Sequence, residues 1–161
     1  MTGGFSISPL SASDIRSEFS CGADALDRYF REIVTQDIKR RITSCYVAKS
    51  LDKDTIAGFY TLSAASIPMT ALPQALSKKL PRYPVVPVAR LGRLAVDARF
   101  KGLKLGAALV WDAIARSARS ELTVYALAVD AKDESAEAFY RHLGFIALEP
   151  FQTQLIWLIG K

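Results

Sequence analysis

Three cations, Arg99, Lys101 and Lys104, and two glycines, Gly102 and Gly106, share the short stretch 99–106. Before them runs the apolar Leu94-Ala95-Val96, and after them an apolar periodicity that begins at Leu105. That order reads as strand, basic turn and helix. The first N–H groups of a helix lack partners inside it, and its dipole is positive at that end. Such a turn is an anion site, and its natural ligand is a phosphate or pyrophosphate. It is not a Walker loop, which needs four residues between its glycines and then Gly-Lys-Ser/Thr. Here three residues separate Gly102 from Gly106, and Ala107 and Ala108 follow. G-x-G-x-x-G, the dinucleotide fingerprint, is also absent.

A second group of chemically capable residues lies in Ala136-Glu137-Ala138-Phe139-Tyr140-Arg141-His142-Leu143-Gly144-Phe145. Phe139 and Phe145 read as core aromatics. Tyr140 adds a phenol that can serve as a general acid. His142 is off the Tyr140 face and reads as a surface residue. It is the only histidine, and Cys21 and Cys45 are the only cysteines, without C-x-x-C spacing. Those ligands are too few for a zinc site. They read as buried thiols in a reducing cytosol. A Cys21–His142 thiol hydrolase has nothing to orient the pair. The net charge of +5 favours a polyanionic partner or an anionic cofactor. Candidate phosphate contacts are Arg28, Arg31, Lys39, Arg40, Arg41, Lys78, Lys79, Arg82, Arg90 and Arg93. The plainer reading of Lys39-Arg40-Arg41 is a basic C-terminal turn that suits a helix dipole.

With 161 residues, half of them hydrophobic, the chain is expected to be one domain, 1–161, with a sizeable core. No run of eighteen apolar residues predicts a membrane span, and the N-terminal residues lack the pattern of a secretory signal. Alternation predicts a first strand from Phe5 to Leu10. A helix follows, capped by Ser20 or Cys21, with Leu26, Tyr29, Phe30 and Ile33 as its apolar face. Ser44–Lys49 and Thr55–Ile67 read as a hairpin around Leu51–Asp54, with Gly58 at a bulge. Residues 68–84 are irregular and proline-rich, with one helical turn at 75–80. Loops this long are often functional. A strand over Pro87–Asp97 leads into the basic turn. A helix over Leu105–Arg119 has Ala107, Val110, Trp111, Ile114 and Ala118 on its apolar face. A buried, parallel strand is expected over Glu121–Val129. Asp133 caps a last helix, Gly144 ends it, and two strands, 145–148 and 152–159, close the chain. The expected class is α/β: a central mixed sheet flanked by helices on both faces, with a right-handed parallel crossover between Val88 and Val129.

Four motifs carry a family resemblance. Lys101, Lys104 and Gly106 lie on the pattern Gln/Arg-x-x-Gly-x-Gly/Ala, the coenzyme A loop of the GCN5-related N-acetyltransferases, the GNAT superfamily. This chain departs from the pattern by lysine at 101 and by lysine at 104, where the family has glycine. Residues 136–145 resemble the family's A-x-x-F-Y-x-x-x-G-F. Phe19-Ser20-Cys21-Gly22-Ala23-Asp24-Ala25-Leu26-Asp27-Arg28-Tyr29-Phe30 and Arg90-Leu91-Gly92-Arg93-Leu94-Ala95-Val96-Asp97 resemble two signatures of one branch, the acetyltransferase toxins of bacterial type II toxin–antitoxin systems.

The resemblance implies the GNAT fold and acetyl-CoA as cofactor. It implies acetylation of the α-amino group of aminoacyl-tRNA, which blocks translation. Tyr140 then faces the coenzyme A sulfur and protonates the leaving thiolate. Cofactor contacts are implied at Leu94, Ala95, Val96, Arg99, Lys101, Gly102, Leu103, Lys104, Leu105, Gly106, Ala107, Asp133 and Phe139. Oxyanion stabilisation is expected from backbone N–H groups at a bulge in Leu94–Val96. The tRNA contacts favoured are Arg90, Arg93, Arg40, Arg41, Lys78 and Lys79. Implied partners are a ribbon–helix–helix antitoxin and a second copy of the chain, in the cytoplasm. The alternatives are an acetyltransferase acting on protein N-termini or a small amine, and a coenzyme A-binding module without turnover.

Overall fold

The computed structural model describes residues 4–148 and 153–160. The strands and helices are β1 (Phe5–Pro9), α1 (Asp24–Arg28), α2 (Val34–Lys39), β2 (Ser44–Ser50), β3 (Ile56–Pro68), α3 (Gln74–Ser77), β4 (Val85–Val96), α4 (Leu105–Arg119), β5 (Ala126–Asp130), α5 (Glu134–His142), β6 (Ile146–Ala147) and β7 (Gln154–Leu158). Among the described residues the strands form a mixed seven-stranded sheet in the order β1-β2-β3-β4-β5-β7-β6. The chain divides into two compact units, residues 1–63 with 92–113, and residues 64–91 with 114–161.

The first unit is built around aromatic packing. Phe30 stacks on Phe59 with ring centres 4.2 Å apart, and Phe19 meets both edge-on. Cys21, Tyr29, Val34, Cys45, Val47, Ile56 and Ala95 belong to the same cluster. Between α1 and α2 the helix widens into a π-helical turn at Tyr29–Ile33. That turn overturns part of the expected apolar face. A four-residue step in an α-helix overshoots one turn by about 40°. The wider turn removes the surplus, so Phe30 and Val34 are fully buried while Ile33 is exposed. The helix starts at Asp24, and its N-cap Ala23 makes no side-chain cap bond. Neither Ser20 nor Cys21 is the cap. Instead the buried Asp27 carboxylate accepts the Cys21 N–H at 2.8 Å.

β2 and β3 form the expected hairpin, with its register shift between Ala48 and Lys49: Ala48 faces Gly58 and Lys49 faces Ile56. Ala57 is therefore the extra residue, and its carbonyl accepts the Asp97 N–H at 2.8 Å. Gly58 is required for close approach, since a Cβ there would lie 3.0 Å from the Ala95 carbonyl oxygen and 3.1 Å from Leu109 Cδ1. The buried α4 positions in this unit are Leu105, Leu109, Val110 and Ala113. Trp111, expected on the apolar face, is exposed.

In the second unit, β4 and β5 pair in parallel from Val88↔Ala126 to Leu91↔Val129, and β5 pairs antiparallel with β7. β5 begins at Ala126, later than expected. Pairing begins at Tyr125, whose N–H donates to the Pro87 carbonyl, and Leu122 before it is exposed. The core includes Ile67, Ala71, Leu72, Val86, Val88, Ala126, Ala128, Leu148 and Ile156. The predicted strand start at Gln152 lies outside the described residues.

Candidate active site

In the first unit, β4 delivers Leu94-Ala95-Val96 to a turn that Asp97 organises. The Asp97 side chain is buried, yet four donors reach it. Oδ1 accepts the Arg99 N–H and Arg99 Nε, both at 2.9 Å, and Oδ2 accepts the Ser20 N–H and Arg99 Nη2, both at 3.0 Å. Burial raises its pKa. The hydrogen bonds from Arg99 and Ser20 outweigh that and hold the carboxyl below its usual range. The Ala98 N–H donates to the Ser20 carbonyl, and Lys101 Nζ donates to the Cys21 carbonyl at 2.8 Å. The Phe19–Gly22 segment is thereby tied to the turn. Arg31 Nε, at the wide turn of the helix, donates to the Phe19 carbonyl on the same segment.

These bonds redistribute the expected positive charge. Arg99 is committed to Asp97 and Lys101 to a backbone carbonyl. Lys104 alone of the three cations has no partner among the described residues. It is exposed and sits at φ +62°, left-handed backbone, as does Gly102 at φ +82°. Lys104 thus holds the conformation that glycine adopts freely. Its carbonyl accepts the Ala108 N–H at 3.2 Å, which makes it the residue that starts α4. Gly106 lies inside the first turn of the helix, beside buried Leu105. The N–H groups of Leu105, Gly106 and Ala107 are helix-starting donors without an intrahelical acceptor. A groove of about 490 Å³ opens beside the turn, lined by Phe5, Asp52, Phe100, Gly102, Leu103 and Lys104 among others. The helix N-terminus and the Lys104 ammonium together have the chemistry that an anionic group requires.

In the second unit, Asp133 caps α5 as expected, its Oδ1 accepting the Ala136 N–H at 2.8 Å. The helix brings Tyr140 into the interior, edge-on to Phe139 at 5.1 Å and to Phe145 at 5.3 Å. Burial pushes the Tyr140 phenol up to about 12. It is therefore a neutral O–H at physiological pH, able to donate and not to abstract. Gly144, at φ +106°, ends α5 and turns the chain so that Phe145 returns beneath Tyr140. His142 is exposed, as read from the sequence.

The basic residues fall into distinct situations. Arg90 pairs with Asp130. Arg93 is exposed and lies over the Tyr29 ring, 3.6 Å from its centre; the Tyr29 hydroxyl in turn donates to Asp37 at 2.7 Å. Arg40 and Arg41 are exposed at the end of α2, and Arg41 ends the helix at φ +60°. Arg31 is held by the Phe19 carbonyl. Lys78 and Lys79 are exposed. The Cys21 thiol is buried, which raises its pKa, and Sγ donates to the Ala23 carbonyl. Nothing there supports a thiolate nucleophile. No group of three or more potential metal ligands occurs among the described residues, and no helix among them is long and apolar enough to cross a membrane.

Sequence reasoning assigned no role to Asp97 and offered Ser20 only as a helix cap. Both lie in motifs already singled out, but the hydrogen bond that joins them spans 77 positions, a distance no local pattern encodes.

Comparison with known proteins agrees with this geometry. The model of the acetyltransferase (GNAT) family matches residues 12–145. The tRNA-acetylating toxin of Mycobacterium tuberculosis is 33% identical over 138 residues, 84% of this chain and 81% of that protein. Among solved structures, AtaT complexed with acetyl-methionyl-tRNAfMet superposes with a TM-score of 0.87 at 30% identity, covering 96% of this chain and 94% of that one. A tyrosine-to-phenylalanine mutant of AtaT, bound to the C-terminus of the antitoxin AtaR and acetyl-CoA, gives a TM-score of 0.78 at 25% identity, with coverage of 97% and 94%. A family match across most of the chain, on a mixed sheet whose β4–turn–α4 unit presents an anion site, makes this chain a member of the GNAT acetyltransferase family.

Proposed function

We propose that this chain is the toxin of a type II toxin–antitoxin pair, and that it acetylates the α-amino group of aminoacyl-tRNA and so blocks translation. The observation that carries the reading is the likeness to AtaT, whose solved complex holds acetyl-methionyl-tRNAfMet. The tRNA-acetylating relative extends the support along most of the chain.

Acetyl-CoA, when bound, supplies an activated acetyl thioester. The start of α4, with the N–H groups of Leu105 to Ala107 and the Lys104 ammonium, holds its pyrophosphate. Backbone N–H groups of Leu94–Val96 stabilise the oxyanion, and Asp133 and Phe139 line the coenzyme. The amine to be acetylated needs no strong base. A free α-amino group titrates near ~7.7–8.0, so a sizeable fraction is neutral at physiological pH. Tyr140 keeps its proton until negative charge develops on the departing sulfur, and gives it up there. The nitrogen, cationic once the new C–N bond forms, loses its proton to solvent as the C–S bond breaks, and solvent restores the proton to Tyr140, so charge balances. Exposed Arg93, Arg40, Arg41, Lys78 and Lys79 attract the tRNA backbone. Arg90 contributes there only by exchanging Asp130 for phosphate. The family match across residues 12–145 supports reading both units as one acetyltransferase domain. The partners are a ribbon–helix–helix antitoxin and a second copy of the chain, in the cytoplasm.

The test is transfer of labelled acetyl from acetyl-CoA to a pool of charged tRNA, with Tyr140→Phe beside it. Label is expected in aminoacyl-tRNA. The variant should keep its fold and its coenzyme affinity and lose roughly 10²–10⁴ in rate. A wild-type protein that binds acetyl-CoA but labels only peptides or small amines would replace the substrate. Near-normal turnover by Tyr140→Phe would remove the proton donor.

A further inference from the structure

Residues 69–84 form a cleft of about 620 Å³ lined by Met69, Gln74, Lys78, Arg82, Tyr83 and Pro84 among others. That volume lies within the ~300–1,000 Å³ of small-ligand sites. The segment is irregular but firmly held. The Met69 N–H donates to the Pro84 carbonyl, joining the two ends, and the Leu80 and Tyr83 N–H groups donate to Ser77 and Pro81. Leu72 is buried, and Leu76 and Leu80 pack against the core of the second unit. Anchoring those side chains inward leaves Lys78, Arg82 and Tyr83 facing out. Tyr83 is 66% exposed. No carboxylate lines the cleft, and neither Lys78 nor Arg82 has an ion-pair partner among the described residues.

We infer that this cleft binds an unpaired nucleotide of the substrate RNA, with its base stacked on Tyr83 and the flanking phosphates at Lys78 and Arg82. The inference rests on the aminoacyl-tRNA reading. A protruding aromatic ring beside cations is the combination by which proteins hold single-stranded nucleic acid. The ring supplies a flat apolar face that any base can cover. The cations supply the sequence-independent attraction to phosphate. A double-stranded stem would offer phosphates but no open base for the ring. The closed loop matters because a platform already ordered loses little freedom when it is covered.

Steady-state kinetics with Tyr83→Ala, Tyr83→Phe and Lys78→Ala/Arg82→Ala test this. Loss of one base–aromatic stack corresponds to about a 5- to 160-fold rise in KM for aminoacyl-tRNA. The Tyr83→Ala variant should show that rise with kcat and the KM for acetyl-CoA unchanged. Tyr83→Phe keeps the ring and should behave as wild type. The double variant should lower the slope of log KM against log salt by about 1–2. An unchanged KM in Tyr83→Ala, or equal loss in Tyr83→Phe, would overturn the inference. If the wild-type protein fails to acetylate charged tRNA, the substrate reading falls separately. The cleft is then read directly, by fluorescence of Tyr83→Trp titrated with a short unpaired oligoribonucleotide. Quenching keeps the nucleotide site, and its absence removes it.

Discussion

Replacing Asp97 by Asn tests whether the turn before α4 is held by charge or only by shape. The carboxylate receives four donors, two on each oxygen. Asparagine has one acceptor oxygen. Whichever way its amide is turned, the NH₂ group faces two donors, and one of them is a backbone N–H. Hydrogen bonds to charged groups contribute about 1.5–3 kcal/mol each. The half-exposed Arg99 keeps part of that by turning to water, so its share is discounted. The sum is about 3 kcal/mol. For a chain of this size one kcal/mol moves Tm by roughly 2–4 °C, which predicts a fall of about 6–12 °C. The sign with pH follows from the lowered folded-state pKa. The carboxylate's contribution is complete above the unfolded value of about 3.9 and is lost as pH falls through the folded value. The gap between wild type and Asp97→Asn should therefore close on acidification below about pH 4. Calorimetric melts at pH 7 and across pH 3–5, with acetyl-CoA titrations at pH 7, read all of this. A Tm within about 2 °C of wild type at pH 7 would refute the reasoning.

Two further substitutions probe left-handed backbone. Lys104→Gly removes a steric penalty of about 1–2 kcal/mol, partly offset by the greater freedom of glycine in the unfolded chain. The variant should melt roughly 1–3 °C higher, yet bind acetyl-CoA more weakly at low salt, with the difference fading as salt rises; a lower Tm would contradict the strain. Gly144→Ala places a Cβ 2.8 Å from Trp157 Cζ3 at φ +106°. It should cost about 2 kcal/mol or more, seen as a lower urea midpoint.

Periodic elements were legible from the sequence, and long-range ties were not. Leu105–Arg119 was bounded to the residue because a strong apolar period runs from the basic turn to a basic end. Asp133 and Gly144 marked α5 because a cap and a C-terminal glycine act within three or four residues. Glu121–Val129 was read too long, since β-branched composition does not reveal where a partner strand begins. The side chains of the anion site were read by type, but their use depends on neighbours far away in sequence. Arg99 and Lys101 looked like ligands for phosphate until Asp97 and the Cys21 carbonyl were found to hold them.

The wide turn at Tyr29–Ile33 separates the length of a helix from the identity of its inward side chains. Leu26, Phe30, Val34 and Ile38 recur at a strict interval of four, which a uniform α-helix would spread around its barrel. Removing Ile33, the outward residue, would leave intervals of four, three and four. An ordinary α-helix presents that spacing on one stripe. The same four side chains would then meet the same core from a segment one residue shorter. A deletion of Ile33 should accordingly melt as one cooperative transition with native helix content, whereas deletion of Phe30 should not. The helix thus stores a spare residue, and its deletion leaves in place the packing that carries the Phe19–Gly22 segment.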